Sequence, residues 1–432
     1  RVFRNYYVSP EGTRGNTGTI ARPLGSIQLG IRLLKPGDTL YLREGTYTES
    51  VEFAAAGLPD AYVTLKAYPG EKAVITYPRR RSAVRIGGYT KDRSAPKGRR
   101  FTPDGPYGRY IRIEDITFRD IHAGWQGALW MGMADHIVIT RCTFESCGDH
   151  AIASEASTDV EISYCRILNT NGEKSDAIIL GNIEDAIGGW PGYDFMNPEG
   201  GVPDPDKGSK RFKIHHNYID GAPEMGFDIL WFANDNEIYN NIVVNTSGGL
   251  SLKRFPSGNR VYNNIFVTRY AAFEIYKDAS NNIIRNNIFV SREWCASRQQ
   301  LGAGDRPMGP GNIIDYNLYW SPDPNLPMIV TGATATSLGR WTAQDINSGA
   351  YFRATGFEEH GIARDPGFMD LAALNFLPKP GSPSIDTGDP SVSSVVTDDL
   401  RGVPRPQGKG YDRGAYEWTP NPPPATATAP TE

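Results

Sequence analysis

Four side chains in the middle of the chain could do chemistry together: Asp228, Lys253, Glu274 and Tyr276. They lie on rows that align as strands: Glu224-Met-Gly-Phe-Asp228-Ile-Leu230, Gly248-Gly-Leu-Ser251-Leu-Lys253 and Ala271-Ala-Phe-Glu274-Ile-Tyr276, with Asp176-Ala-Ile-Ile-Leu180 as an earlier row. Alternation turns Phe227, Leu250 and Phe273 inward, and Ile229, Leu252 and Ile275 with them. It turns Asp228, Ser251 and Glu274 outward in one column, and Leu230, Lys253 and Tyr276 in a second. Neighbouring strands are about 4.8 Å apart, so one sugar could cover two carboxylates, an amine and a phenol. Such a set suits proton transfer to and from a bound sugar. The plain alternative is a surface ion pair between Asp228 and Lys253 with Tyr276 packed beside it.

These rows are positioned by a repeat. Ile139-Thr-Arg-Cys142-Thr-Phe144, Ile162-Ser-Tyr-Cys165-Arg-Ile167, Ile214-His-His-Asn217-Tyr-Ile219, Ile238-Tyr-Asn-Asn241-Ile-Val243, Val261-Tyr-Asn-Asn264-Ile-Phe266, Ile284-Arg-Asn-Asn287-Ile-Phe289 and Ile314-Asp-Tyr-Asn317-Leu-Tyr319 share one template, and Ile113 to Phe118 opens the series. The steps 142→165, 241→264 and 264→287 are each 23 residues. That length fits one coil of three short strands with their bends. A right-handed crossover is the default between parallel strands. The fold expected is therefore all-β, a right-handed parallel β-helix whose stacked Asn side chains form a hydrogen-bonded ladder. The 52-residue step from 165 to 217 is one coil plus a long loop, roughly Gly181 to Lys210.

The 432 residues exceed an ordinary single core, but a solenoid coil needs only its neighbours. One domain over 1–418 is expected, opened by a short cap helix near Ser26 to Leu34. It would be closed by Asp365-Pro-Gly-Phe, Pro380-Gly-Ser-Pro-Ser-Ile-Asp386 and Asp412-Arg-Gly-Ala-Tyr-Glu417. Residues 419–432, rich in Pro, Ala and Thr, read as a linker. Net charge is −4 with no basic tract, which argues against nucleic acid. No segment has the length of a membrane span. Cys142, Cys147, Cys165 and Cys295 contain no CxxC pair, so zinc is not expected; Cys142 and Cys165, one coil apart, fit stacked thiols or a disulfide. The chain opens at Arg1 without Met or an apolar leader, as a mature secreted chain does.

The opening stretch, Tyr6-Tyr-Val-Ser-Pro10-Glu-Gly through Pro36-Gly-Asp-Thr-Leu-Tyr-Leu-Arg-Glu-Gly-Thr-Tyr47, resembles secreted bacterial β-helix proteins, family 9 pectate lyases among them. The closing stretch resembles the final part of anchored surface β-helix proteins. The resemblance implies an extracellular monomer, linked to a further domain or surface anchor, that acts on an acidic polysaccharide. It implies calcium as cofactor, with Asp176, Glu224 and Asp228 as ligands. Met225 stands where the family has a further carboxylate, and the family's lysine aligns with Ser251, two residues before Lys253. The implied reaction is β-elimination at a uronate, with Lys253 as base, Arg254 assisting and Tyr276 as proton donor. Glu274, Lys277, Trp190, Tyr193 and His150 are the expected substrate contacts. Two rival readings are a β-helical glycoside hydrolase using Asp228 and Glu274, and a non-catalytic carbohydrate-binding surface protein.

Overall fold

The computed structural model describes residues 2–91, 101–103, 108–172, 175–181, 206, 208–301, 307–332 and 339–420. The chain forms two compact units: Arg1–Lys213 with Gly221–Pro223 and Leu230–Asn234, and Ile214–Asp220 with Glu224–Ile229 and Asp235–Glu432. Both are coils of three short strands that pair in parallel with their equivalents one coil on, the pattern of a parallel β-helix.

In the first unit the sheets run through Asn5–Val8, Thr39–Leu42, Val63–Ala67 and Arg109–Glu114; through Gly45–Thr48, Ala73–Tyr77 and Ile116–Ile121; and through Val51–Glu52, Val84–Gly87, Leu129–Gly132 and Ile152–Glu155. The expected cap helix is Ile27–Leu33. Ser26 caps it by accepting from the Leu29 N–H, and the Glu49 carboxylate accepts from the Ile27 N–H. Its buried face is Ile27 and Ile31. Gly30 lets it settle on the sheet, since a Cβ there would meet Leu40 at 2.6 Å. No helix among the described residues is long and apolar enough to cross a membrane.

In the second unit the ladder is complete. Asn217 Nδ2 donates to Asn241 Oδ1 at 3.0 Å, Asn241 to Asn264 at 2.9 Å, Asn264 to Asn287 at 2.9 Å and Asn287 to Asn317 at 3.0 Å. The residue before each rung, His216, Asn240, Asn263, Asn286 or Tyr316, has φ between 52° and 60°. Asn tolerates this left-handed region, which accounts for the doubled Asn of the template. The first Asn of each pair has a separate job. Asn240, Asn263 and Asn286 donate to the carbonyls of Asp398, Asp412 and Asp389. The C-terminal stretch read as a closing cap is thus bonded along the side of three successive coils. A second ladder, absent from the sequence reading, runs through Asn236, Asn259, Asn282 and Asn312. All four cysteines are buried and none is in a disulfide, so Cys142 and Cys165 stack as thiols.

The main ladder ends on a carboxylate. Buried Glu358 accepts from Asn317 Nδ2 at 2.7 Å and from the Tyr319 hydroxyl at 2.6 Å. Burial outweighs these bonds and pushes its carboxyl up to about 7. The folded state therefore holds the Glu358 proton more tightly than the unfolded chain. The stability it contributes is full below the ordinary carboxylate range and is lost as pH rises through about 7. We expect urea midpoints of wild type and Glu358→Gln to converge, or to reverse order in favour of the variant, between about pH 5 and about pH 8. A wild-type-minus-variant difference that stayed constant over that range would contradict this.

Candidate active site

The four residues first picked out lie in the second unit on neighbouring strands of one sheet: Met225–Leu230, Gly248–Lys253 and Phe273–Tyr276, with Ser297–Gln299 next. The register pairs Leu250 with Phe273, Ser251 with Glu274, Leu252 with Ile275 and Lys253 with Tyr276. Phe227, Ile229, Leu250, Leu252, Phe273 and Ile275 are fully buried, so the alternation is as the sequence implies. Phe273 stacks on Phe289 across the core, with centroids 5.3 Å apart. This apolar packing fixes which side chains face out.

On the outer face Lys253 Nζ lies 2.9 Å from Asp228 Oδ2, with the side chains only 12% and 7% exposed. The other carboxylate oxygen, Asp228 Oδ1, is buried and has no hydrogen-bond partner among the described residues. The Ser251 hydroxyl, on the strand between Asp228 and Glu274, is in the same condition. Burial pushes the Glu274 carboxyl above its usual range; Arg298 and Lys253 oppose the shift, while Asp228 and Glu224 add to it. Burial likewise pushes the Tyr276 phenol up, opposed mainly by Lys253. Both groups therefore keep their protons to higher pH than usual.

Arg298 was missing from the sequence reading. It pairs in register with Glu274, and its Nη1 lies 3.8 Å from Glu274 Oε1. Its guanidinium sits 5.0 Å from the Tyr276 ring centroid, and Lys277 Nζ sits 5.4 Å from the same centroid. The phenol is thus flanked by two cations. The step from Glu274 to Arg298 is 24 residues, one coil, so the repeat itself could have found it.

The other predicted residues fall elsewhere. Arg254 has φ 67° and Phe255 φ 72°, so Arg254 begins the left-handed turn that ends the strand. His150 and Asp176 lie in the first unit. His150 is buried, 1% exposed, which does not suit the substrate contact expected of it. Its Nδ1 accepts from the Asp176 N–H at 3.2 Å and lies 3.6 Å from Asp176 Oδ2. Trp190 and Tyr193 lie outside the described residues, as does most of the loop that carries them.

The implied calcium ligands can be tested against this geometry. Among the described residues no three His, Cys, Asp or Glu side chains converge as a metal site. Asp228 already faces an ammonium, which repels a second cation. Met225, at the place of a family carboxylate, is buried under Gly248, where a Cβ would come within 2.3 Å of its sulfur. A thioether is a poor ligand for a hard cation. Glu224 and Asp228, the two implied ligands in the second unit, do not fit a calcium site among the described residues.

The chain is similar to known β-helix proteins. Residues 6–177 match a family model described as the Pel9A-like right-handed β-helix region, and residues 206–305 match one described as a right-handed β-helix region. The pectate lyase PEL9 of Emericella nidulans is 44% identical over 71 residues, which are 16% of this chain and 17% of that protein. The uncharacterized protein YwoF of Bacillus subtilis is 33% identical over 70 residues, 16% of this chain and 15% of that one. The chain thus matches less than a fifth of the length of these curated relatives. Among solved structures, the pectate lyase Pel9A aligns over 97% of both chains at 14% identity with a TM-score of 0.55. A rhamnogalacturonan lyase aligns over 86% of this chain and 92% of its own at 13% identity, with a TM-score of 0.51. The fold is therefore a pectate-lyase-like right-handed parallel β-helix.

Proposed function

We propose that this β-helix is a secreted polysaccharide lyase that cleaves a uronate-containing, pectate-like polymer by β-elimination. The observation that carries the reading is the Lys253–Asp228 pair beside Tyr276 on the outward side of one sheet. The local identity to a pectate lyase supports it. Secretion, a monomeric state and attachment through residues 419–432 belong to the same proposal.

A lysine removes the C5 proton of a uronate only as the free amine. Asp228 can receive the lysine proton, since Oδ2 is 2.9 Å away and its partner oxygen is unbonded among the described residues. Substrate covering the groove would exclude water and favour this neutral form of the pair. The amine then takes the C5 proton, the bond from C4 to the glycosidic oxygen breaks, and Tyr276 gives that oxygen its proton. The new Lys253 ammonium returns a proton to the Tyr276 phenolate, its neighbour in register, and the cycle closes. The C5 proton is weakly acidic until the substrate carboxylate is neutralised. In this reading that work falls to Arg298 and Lys277, the cations flanking Tyr276.

Tyr276→Phe is expected to lower turnover about 10²–10⁴-fold, the usual worth of a proton donor. In wild type the alkaline limb of the rate profile should lie above the ordinary tyrosine range, because burial raises the phenol. Turnover of Tyr276→Phe equal to wild type would remove the phenol from the reaction.

A glycoside hydrolase is the second reading, favoured by the upward shift that burial gives the Glu274 carboxyl, the direction a general acid requires. Its partner Asp228 is two strands away, roughly 10 Å, the upper limit for an inverting enzyme. It is also engaged by Lys253. Incubation with pectate, alginate and glycosaminoglycans, each with calcium and with a chelator, separates the readings. We expect ultraviolet-absorbing unsaturated product from a uronate polymer, undiminished by chelation. Calcium-dependent product would overturn the role given to Arg298 and Lys277. Reducing ends without absorbance would indicate the hydrolase, and no product from any polymer would indicate a binding protein.

A further inference from the structure

The first unit has a cavity of its own, about 420 Å³, lined among others by Glu52, Arg85, Gly87, Tyr89, Gln126 and Trp130. That volume is within the usual range for small-molecule sites. Its wall is a row across three parallel strands, because the register pairs Glu52 with Arg85 and Arg85 with Trp130. The row is held from both sides. The Arg85 guanidinium lies 4.2 Å above the Trp130 ring, and Arg85 Nη1 donates to Gln126 Oε1. Trp130 Nε1 donates to Glu155 Oε2 at 3.2 Å, and the same oxygen accepts from the Tyr89 hydroxyl at 2.9 Å. One carboxylate thus fixes both aromatic rings, whose centroids are 6.0 Å apart. The floor is backbone: a Cβ at Gly87 would come within 2.4 Å of the Gly132 carbonyl oxygen.

Two carboxylates, Glu52 and Glu155, act on the charge of Arg85, but neither makes a hydrogen bond to its guanidinium among the described residues. Gln126 is neutral. Glu52 lies 3.7 Å from Arg85 Nε, beyond a hydrogen bond, is 59% exposed and is shared with Arg81. Burial, and then Arg81, pull the guanidinium below its usual range, though arginine stays charged at any working pH. A half-buried guanidinium fixed over an indole, beside a tyrosine ring, is a setting for a planar anion attached to a ring with an apolar face.

We propose that this cavity binds an acidic sugar residue, with its carboxylate on Arg85 and its ring against Tyr89. This is a saccharide-binding site distinct from the Lys253 patch, and it rests on the reading of the substrate as a uronate polymer. The probes are trigalacturonate and the neutral cellotriose, titrated calorimetrically into the full chain. The variants are Arg85→Gln, Gln126→Glu and, as a control, Arg269→Gln, an exposed arginine paired with Glu293. Gln126 sits on a short surface helical turn, so its replacement tests the same anion contact where Arg85→Gln fails to fold. We expect trigalacturonate to bind wild type and Arg269→Gln alike, and to bind Arg85→Gln and Gln126→Glu at least about tenfold more weakly, a tenth of the affinity being about 1.4 kcal/mol. Cellotriose should bind weakly to all. Equal binding of the two probes, no binding to wild type, or unchanged binding to both cavity variants would overturn the site. Unsaturated product with Arg85-independent binding refutes only this cavity. Arg85-dependent binding without unsaturated product refutes only the lyase reading.

Discussion

Lys253→Met is expected to abolish measurable elimination, with a loss of about 10²–10⁴-fold in turnover, because the amine is the only base in the proposed cycle. The same change strips a buried carboxylate of its cation. Asp228 is 7% exposed and its second oxygen already lacks a partner among the described residues. Breaking such a pair costs about 3–5 kcal/mol, so lost activity alone could reflect lost fold. The double variant Asp228→Leu/Lys253→Met separates the two. An apolar pair of similar volume replaces a buried ion pair at little cost or with a gain. The double variant should therefore recover most of the urea stability and remain inactive. A single variant that lost stability but kept wild-type turnover would show the pair to be structural.

Asn264→Ala is expected to be the most destabilising single change in the ladder, at about 3–5 kcal/mol, from the number of buried groups it orphans. Asn264 Oδ1 accepts from the Asn241 N–H at 3.0 Å and from Asn241 Nδ2 at 2.9 Å. Its Nδ2 donates to the Ile238 carbonyl and to Asn287 Oδ1, both at 2.9 Å. Truncation leaves these partners in a dry turn where no water replaces the amide. Asn245→Ala is the control: its amide donates to Asp220 Oδ1 at an exposed turn, and about 0.5–1 kcal/mol is expected there. Urea unfolding of both variants gives the comparison. Equal midpoints would mean that the ladder is no more than a turn preference.

The coil and its main ladder were legible because the signal is local and repeated. Each coil must turn at the same place, the turn needs a left-handed residue followed by an amide, and the 23-residue step repeats both. The second ladder obeys the same step from Asn236 to Asn259 to Asn282, but the residues before its rungs are Asp235, Gly258 and Asn281. All three tolerate positive φ, so one conformational need was written in three residue types and no motif stood out. The contacts of the C-terminal segment along the coils were not legible for a different reason. Its bonds to Asn240, Asn263 and Asn286 span 158, 149 and 103 residues, and no local pattern encodes them.

The site was legible in part. Alternation placed Asp228, Lys253, Glu274 and Tyr276 on one face, since burial of Phe227, Leu250 and Phe273 leaves the strands no other register. Alternation gives a face but not a distance, so the contact between Lys253 and Asp228 is not written in the pattern. The calcium expectation came from resemblance, and the described residues form no metal site that would place the ion. The first-unit cavity had no sequence signal. Glu52, Arg85 and Trp130 are 33 and 45 residues apart, because the early coils carry insertions that break the period.

The central claim is that Lys253 removes a proton from C5 of a uronate. It is tested most directly with a uronate polymer tritiated at C5. Wild type should release tritium to water in step with unsaturated product, and the folded Asp228→Leu/Lys253→Met variant should release none. Chain cleavage by wild type without tritium release, or full release by the double variant, would contradict the claim.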